Sequence, residues 1–133
     1  ENINAKKNVC GISIHANAFG KKSANGFRLY HYPTSQNGEM LADMIDVQYD
    51  MVNEMYNIGV ANSSINPKNF YMLRETISPF VLVEAAFMTN PSDLTQLKSD
   101  KFRNQIASVI IRSISEYFIS KHNIIIFFNL STP

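Results

Sequence analysis

Short apolar runs alternate along this chain with longer stretches in which apolar residues return every three or four positions. Val9 to Ile14 is a run of the first kind, and it breaks at His15 into a loop rich in Ala, Asn, Gly and Lys that lasts to Gly26. A strand followed by a loop long enough to border an active site is the expectation. From Phe27 to Tyr32 the side chains alternate, with Phe27, Leu29 and His31 on one face and Arg28, Tyr30 and Tyr32 on the other, until Pro33. That is the pattern of a half-covered strand. Between Glu39 and Tyr56, Leu41, Met44, Ile45, Gln48, Val52 and Met55 recur at helical spacing, with Asp43, Asp46, Asp50 and Glu54 mostly on the other side. An amphipathic helix follows from this spacing, ended by Asn57 to Gly59.

Downstream, Pro67 and Asn69 precede a short apolar segment, Phe70 to Leu73. Ser78-Pro79 then introduce the unbroken run Phe80 to Val83, whose valines and lack of alternation predict a strand covered on both faces. Asn90-Pro91-Ser92-Asp93 carries a helix start: Asn can cap free amides, Pro suits the first helical position, and Asp93 suits the positive end of the dipole. A short helix to Leu97 should follow. Ser99-Asp100 start a second long helix, marked by Phe102, Ile106, Val109, Ile110, Ile114, Tyr117 and Phe118. Interleaved strands and helices predict an α/β domain, a mixed and largely parallel sheet flanked by helices.

Length and composition narrow the function classes. With 133 residues, 45% apolar and 17% charged, the chain can bury a sizeable core. Twelve basic and eleven acidic residues give a net charge of +1 without a basic stripe, which argues against nucleic acid as a partner. No run reaches the roughly 18 apolar residues of a membrane span, and no signal peptide opens the chain. It begins at Glu1, as a processed or excised piece would. Cys10, the one cysteine, has no internal disulfide partner and reads as a buried, inert thiol.

His15 and Glu84 are the sharpest chemical clue. Each is delivered at or just past the carboxyl end of an apolar strand, and the crevice beyond such ends is where open α/β sheets bind ligands. One shared site is the expectation. The competing readings are a satisfied polar residue for His15 and an ion pair, with Arg74 as the candidate partner, for Glu84. His31 reads as a polar residue at a sheet edge, His122 as a charge favouring a helix C-terminus, Glu39 as a helix-start charge and Glu75 as a loop carboxylate. Lys21-Lys22 read as a solvated loop, and the Met and Tyr residues of the 40–56 helix as packing.

Ser13-Ile14-His15-Ala16-Asn17-Ala18, Leu41-Ala42, Leu73-Arg74 and Val81-Leu82-Val83-Glu84 with Phe87, Asn90 and Pro91 resemble, in order and spacing, the zinc-dependent N-acetylmuramoyl-L-alanine amidases of the type 3 class. The resemblance implies a cell-wall hydrolase, an autolysin or endolysin, that cleaves the amide between N-acetylmuramic acid and L-alanine in peptidoglycan. It implies that His15 is a zinc ligand and Glu84 the catalytic carboxylate, with Asn17 and Arg74 touching substrate or supporting the site, and that the protein is secreted or associated with the cell wall. In that family the zinc is held by two histidines and a glutamate. The first histidine, in a Gly-His-Gly-Gly-like turn, and the glutamate both lie upstream of the Ser-Ile-His-Ala-Asn block. This chain carries neither motif in its fourteen residues before His15, Glu1 takes no ligand role, and Ile58 stands where the family has Arg before Gly59-Val60. The expectation is therefore a partial catalytic domain over residues 1–118 whose activity is impaired by missing zinc ligands. The alternative is a non-catalytic peptidoglycan-binding remnant or an inactive gene fragment. Residues 119–133 form an atypical apolar tail, and its run Ile124 to Phe128 should either cover exposed sheet or drive self-association.

Overall fold

A computed structural model describes residues 9–121. The expectations for His122 and for the run 124–128 lie outside the described residues. The elements are β1 (Gly11–Asn17), β2 (Arg28–His31), α1 (Gln36–Tyr56), β3 (Ser64–Pro67), α2 (Tyr71–Arg74), β4 (Phe80–Phe87), α3 (Pro91–Leu97) and α4 (Asp100–Lys121). The described strands form one sheet in the order β1-β4-β2-β3. β1 runs parallel to β4 and β2 parallel to β3, while β2 and β4 are antiparallel. The sheet is mixed and largely parallel, as the interleaved pattern predicts.

Period-two alternation divides each central strand between two faces. Val81, Val83 and Ala85 of β4, together with Phe27 and Leu29, enter the main core. α1 and α4 cover that face with Leu41, Ile45, Tyr49, Phe102, Ile106 and Val109. The Phe27 and Tyr49 rings stack at 4.2 Å, and the Tyr49 hydroxyl donates to the carbonyls of Val60 and Ala61. Burial is the main force raising the Tyr49 phenol pKa, and the Asp93 and Asp50 carboxylates raise it further.

Local chemistry sets the helix ends. The Ser35 hydroxyl accepts from Gly38 N–H at the start of α1, three residues ahead of the expected start. At its other end Asn57 takes a left-handed conformation with φ 47° and closes onto Asn53, as an Asn C-cap can. The Asn90 side chain accepts from Ser92 and Asp93 N–H at the start of α3, with Pro91 behind it. Both caps match the sequence reading.

Several expectations need correcting. β4 is not covered equally on both faces: Phe80 and Leu82 are half-buried while Val81 and Val83 are fully buried, because the second face carries only the one-turn helix α2 and loops. His31 is not at a sheet edge, since β2 is an interior strand; it is buried and its Nδ1 donates to the Tyr32 carbonyl. β3 is a strand that sequence patterning missed, because four residues with Ile65 as the one β-branched apolar side chain give too short a signal and Pro67 lacks a donor; an edge position tolerates that. On α1 the buried stripe runs through Leu41, Ala42, Ile45, Tyr49 and Val52, so Met55 lies outside it, 66% exposed. Cys10 is half-buried against the core, and burial raises its thiol pKa.

Candidate active site

His15 and Glu84 face each other across neighbouring strands. In the parallel β1–β4 ladder they are register partners, and in the antiparallel β2–β4 ladder Arg28 is the partner of Glu84. Register partners share a sheet face, so His15, Glu84 and Arg28 form a row across three strands, spanning about 10 Å at the usual strand spacing. The row below it is Ser13, Leu82 and Tyr30. This face is opposite the one that α1 and α4 cover.

Glu84 is the fifth of eight residues in β4 and His15 the fifth of seven in β1. Both are therefore mid-strand and not, as expected, at strand ends, because each strand continues through small residues that pattern reading takes for loop. Just beyond them the β1–β4 register slips, with His15 opposite Glu84 but Asn17 opposite Phe87. The extra β4 residue is a bulge, a device that re-aims side chains beside functional sites.

The row is electrostatically uneven. The half-buried Glu84 carboxyl has one oxygen, Oε2, buried without a hydrogen-bond partner among the described residues. Burial raises the Glu84 pKa, and the neighbouring His15 works in the opposite direction. The exposed His15 ring is bonded through Nε2 to the Ser13 hydroxyl at 2.7 Å. Tyr30 leans on Phe70 in an edge-to-face contact, and its phenol pKa is raised by burial first and by Glu84 second. The Arg28 guanidinium turns away from Glu84 to donate to the carbonyls of Asn25 and Phe27, and it lies 5.6 Å from the Phe87 ring centre.

The loop after β1 is fastened to the turn after β4. Phe19 N–H donates to Thr89 Oγ1, Asn90 Nδ2 donates to the Lys22 carbonyl, and Met88 N–H donates to the Asn17 carbonyl. The buried Asp93 carboxylate accepts from both Gly26 N–H and Phe87 N–H at 2.9 Å. Gly26 has φ 104°, and a Cβ there would meet the Arg28 guanidinium at 2.6 Å, so glycine is required at this junction. Sequence reasoning took Asp93 for a dipole charge and did not single out Arg28. Only the strand register, which a single sequence does not print, reveals them.

The other candidates are scattered. Asn17 ends β1 and its side chain accepts from Ala18 N–H. Arg74 sits on the far end of α2, exposed, donating to Glu75 Oε1 at 2.7 Å and to Asn69. The suggested Arg74–Glu84 ion pair does not form, because Glu75 is nearer and takes the guanidinium. An apolar crevice of about 320 Å³ runs along β1 beside Ile14, Ala85, Leu97, Phe102 and Ile106.

The family model for N-acetylmuramoyl-L-alanine amidase matches residues 1–116. This chain belongs to that family. It is 33% identical over 109 residues to the N-acetylmuramoyl-L-alanine amidase LytC of Bacillus subtilis, a match covering 80% of this chain and 21% of LytC. It is 31% identical over 107 residues to the probable cell wall amidase LytH of Staphylococcus aureus, covering 80% of this chain and 34% of LytH. The catalytic domain of the amidase CwlV from Bacillus (Paenibacillus) polymyxa superposes with a TM-score of 0.72 at 28% identity, covering 82% of this chain and 57% of CwlV. The amidase AmiC2 of Nostoc punctiforme gives 0.71 at 30%, with the same coverages. The chain thus spans a little over half of these solved domains and between a fifth and about a third of the two curated relatives.

The family is generally zinc-dependent, and a catalytic zinc takes three protein ligands. Among the described residues no three His, Cys, Asp or Glu side chains come together in a way that could hold a metal. His15 and Glu84 alone do not make that centre. No helix among the described residues is long and apolar enough to cross a membrane.

Proposed function

We propose that this chain is the part of a peptidoglycan amidase that bears His15 and the general base Glu84, acting on the amide between the lactyl group of N-acetylmuramic acid and L-alanine. The observation that carries this reading is the register pair His15–Glu84 with its buried, unpartnered carboxylate oxygen. A carboxylate so placed has a free lone pair for a reacting water and is held by a rigid strand.

In this reading Glu84 takes a proton from water as the water oxygen bonds to the lactyl carbonyl carbon. It returns that proton to the alanine nitrogen as the carbon–nitrogen bond breaks. Burial, which raises its pKa, makes the Glu84 carboxylate a stronger base toward the water. His15 is the zinc ligand of the family pattern, Asn17 and Arg74 border the substrate, and residues 1–118 form the catalytic unit with 119–133 an appendage. A secreted or wall-associated location follows from the substrate. Because the described residues supply too few zinc ligands, the isolated chain should retain little metal and cleave peptidoglycan poorly.

Two preparations test this. The chain alone, dialysed against a weak chelator, should hold well under one zinc by elemental analysis; close to one would overturn the view of an incomplete ligand set. Joined to an upstream segment bearing the Gly-His-Gly-Gly turn and the glutamate, it should bind zinc and release stem peptides with new L-alanine amino groups. Glu84→Gln should then keep the metal and lose at least about a hundredfold in rate. A joined protein that sediments with peptidoglycan and leaves it intact would favour a binding remnant instead.

A further inference from the structure

α1 has three faces; the core takes one of them, and Met44 of the next packs against the edge of that core. Leu41, Ala42, Ile45, Tyr49 and Val52 enter the core. On the adjoining shoulder Met40, Met44, Val47, Met51 and Met55 recur at spacings of four, three, four and four, a stripe about 22 Å long. Met40, Val47, Met51 and Met55 are 38%, 57%, 51% and 66% exposed. Two concavities lie along the stripe. One, of about 270 Å³, is bounded by Met40, Asp43, Met44, Val47, Gln48 and Glu116 of α4, and the other, of about 340 Å³, by Met51, Glu54 and Met55.

The remaining face is acidic. Glu39, Asp43, Asp46, Asp50 and Glu54 recur along it, and α1 contains no Lys, Arg or His. Like charges three or four residues apart each cost an isolated helix a few tenths of a kcal/mol, so beyond Glu39, which suits the first turn, this row works against the helix. Asp46 is engaged by the Ser63 hydroxyl. The Asp43 and Asp50 pKa values are raised, by partial desolvation first and then by neighbouring carboxylates. Lys101 and Arg112 of α4 line a different hollow beside Val52 and Tyr56, and no Lys or Arg lines either concavity.

We propose that the methionine and valine stripe of α1, with its acidic border, is a docking surface for a basic amphipathic helix of a partner polypeptide. Apolar anchors at helical spacing are how a groove receives such a helix, and flexible methionine side chains repack around it. Charge selects the occupant. A second copy of this chain would set one acidic row against another, and an anionic membrane would be repelled by the same row, whereas a lysine-rimmed helix relieves it. The stripe lies on the α1 side of the sheet, behind the His15–Glu84 face, so a docked helix leaves that face open.

Fluorescence anisotropy of the full chain with a labelled peptide of about 18 residues tests the proposal, with leucines at three- and four-residue spacing and lysines elsewhere. At about 0.15 M salt this probe should bind with a Kd on the order of 10 µM, and a scrambled peptide of equal composition at least about tenfold more weakly. The double variant Val47→Glu, Met51→Glu, altered only at exposed positions, should weaken binding at least about tenfold with its circular dichroism unchanged. Asp43→Lys with Asp50→Lys should do the same. Equal binding of both peptides, undiminished binding to the double variant, or no binding at all would overturn the proposal. So would a dimer that the double variant dissociates, or a photo-crosslinker at position 51 that joins to residues 122–133 of the same chain.

Discussion

The two faces of the sheet are built from the same strands to opposite ends. Toward α1 and α4, Val81 and Val83 of β4 are fully enclosed within the hydrophobic core. Toward α2, the residues between and beyond them, Leu82 and Glu84, are half-buried and sit beside Ser13, His15, Arg28 and Tyr30. One side chain in two is therefore enclosed and the next half-open among polar neighbours, at a separation of one residue. A half-covered face is what lets a carboxylate stay inside the fold without a partner: it is dry enough to shift its pKa and open enough to be reached. A fully covered face would have expelled it or neutralised it.

The sharpest way to break the comparison is to put the same charge on each face. Val83→Asp places an unpaired carboxylate at a fully enclosed position and should destabilise by more than about 4 kcal/mol, which for a domain of this size leaves little folded protein. Leu82→Asp, one residue away on the half-covered face, should cost about 1–2 kcal/mol and remain soluble, as urea unfolding would report. Similar losses for both would mean that the two faces are equally dry.

A second test concerns the clamp that holds the open face in shape. Asp93 alone satisfies the buried N–H groups of Gly26 and Phe87, one from the loop after β1 and one from the end of β4. Asp93→Ala leaves both donors without an acceptor and should cost about 3 kcal/mol, given the usual worth of hydrogen bonds to a charged group. Asp93→Asn keeps an acceptor oxygen and should cost about 1 kcal/mol. Hydrogen exchange should show the Gly26 and Phe87 amides losing protection in the alanine variant before the amides of α1 do. Uniform loss of protection would make Asp93 an ordinary core residue.

The covered face was the legible one. Apolar spacing located α1 and α4, and the capping chemistry of Asn57 and Asn90 ended one helix and began another, because these signals are local. β3 escaped since an edge strand of four residues gives too short a signal, and the reach of β4 past Val83 escaped because Glu84-Ala85-Ala86 lacks β-branched residues. On the open face the residue types of His15 and Glu84 were visible, and so was their joint membership in a family pattern. Their pairing was not: register is a relation between segments 69 residues apart, as is the hold of Asp93 on Gly26, 67 residues away. The acidic, methionine-lined shoulder of α1 was half visible, since Met55 matches the helical period as well as Met44, which packs against the core, does. Only the placement of α4 separates them.

The smallest expected effect is the most diagnostic of the open face. The Glu84 carboxyl has a pKa raised by burial, so the folded chain keeps that proton to higher pH than the unfolded chain does. Stability therefore falls as pH rises from the ordinary glutamate value, about 4.3, through the raised folded value, and is level above it. Glu84→Gln has no such step. The variant should match the parent near pH 4 and exceed it at pH 7, by a margin kept small by the solvent that still reaches a half-buried group. His15 opposes the shift, so adding His15→Ala to the parent should widen the gap between parent and variant at pH 7. Thermal melts of the four proteins at the two pH values measure all of this. A glutamine variant no more stable than its parent at pH 7 would mean that Glu84 is already satisfied in the folded chain and is not held in reserve for a reacting water.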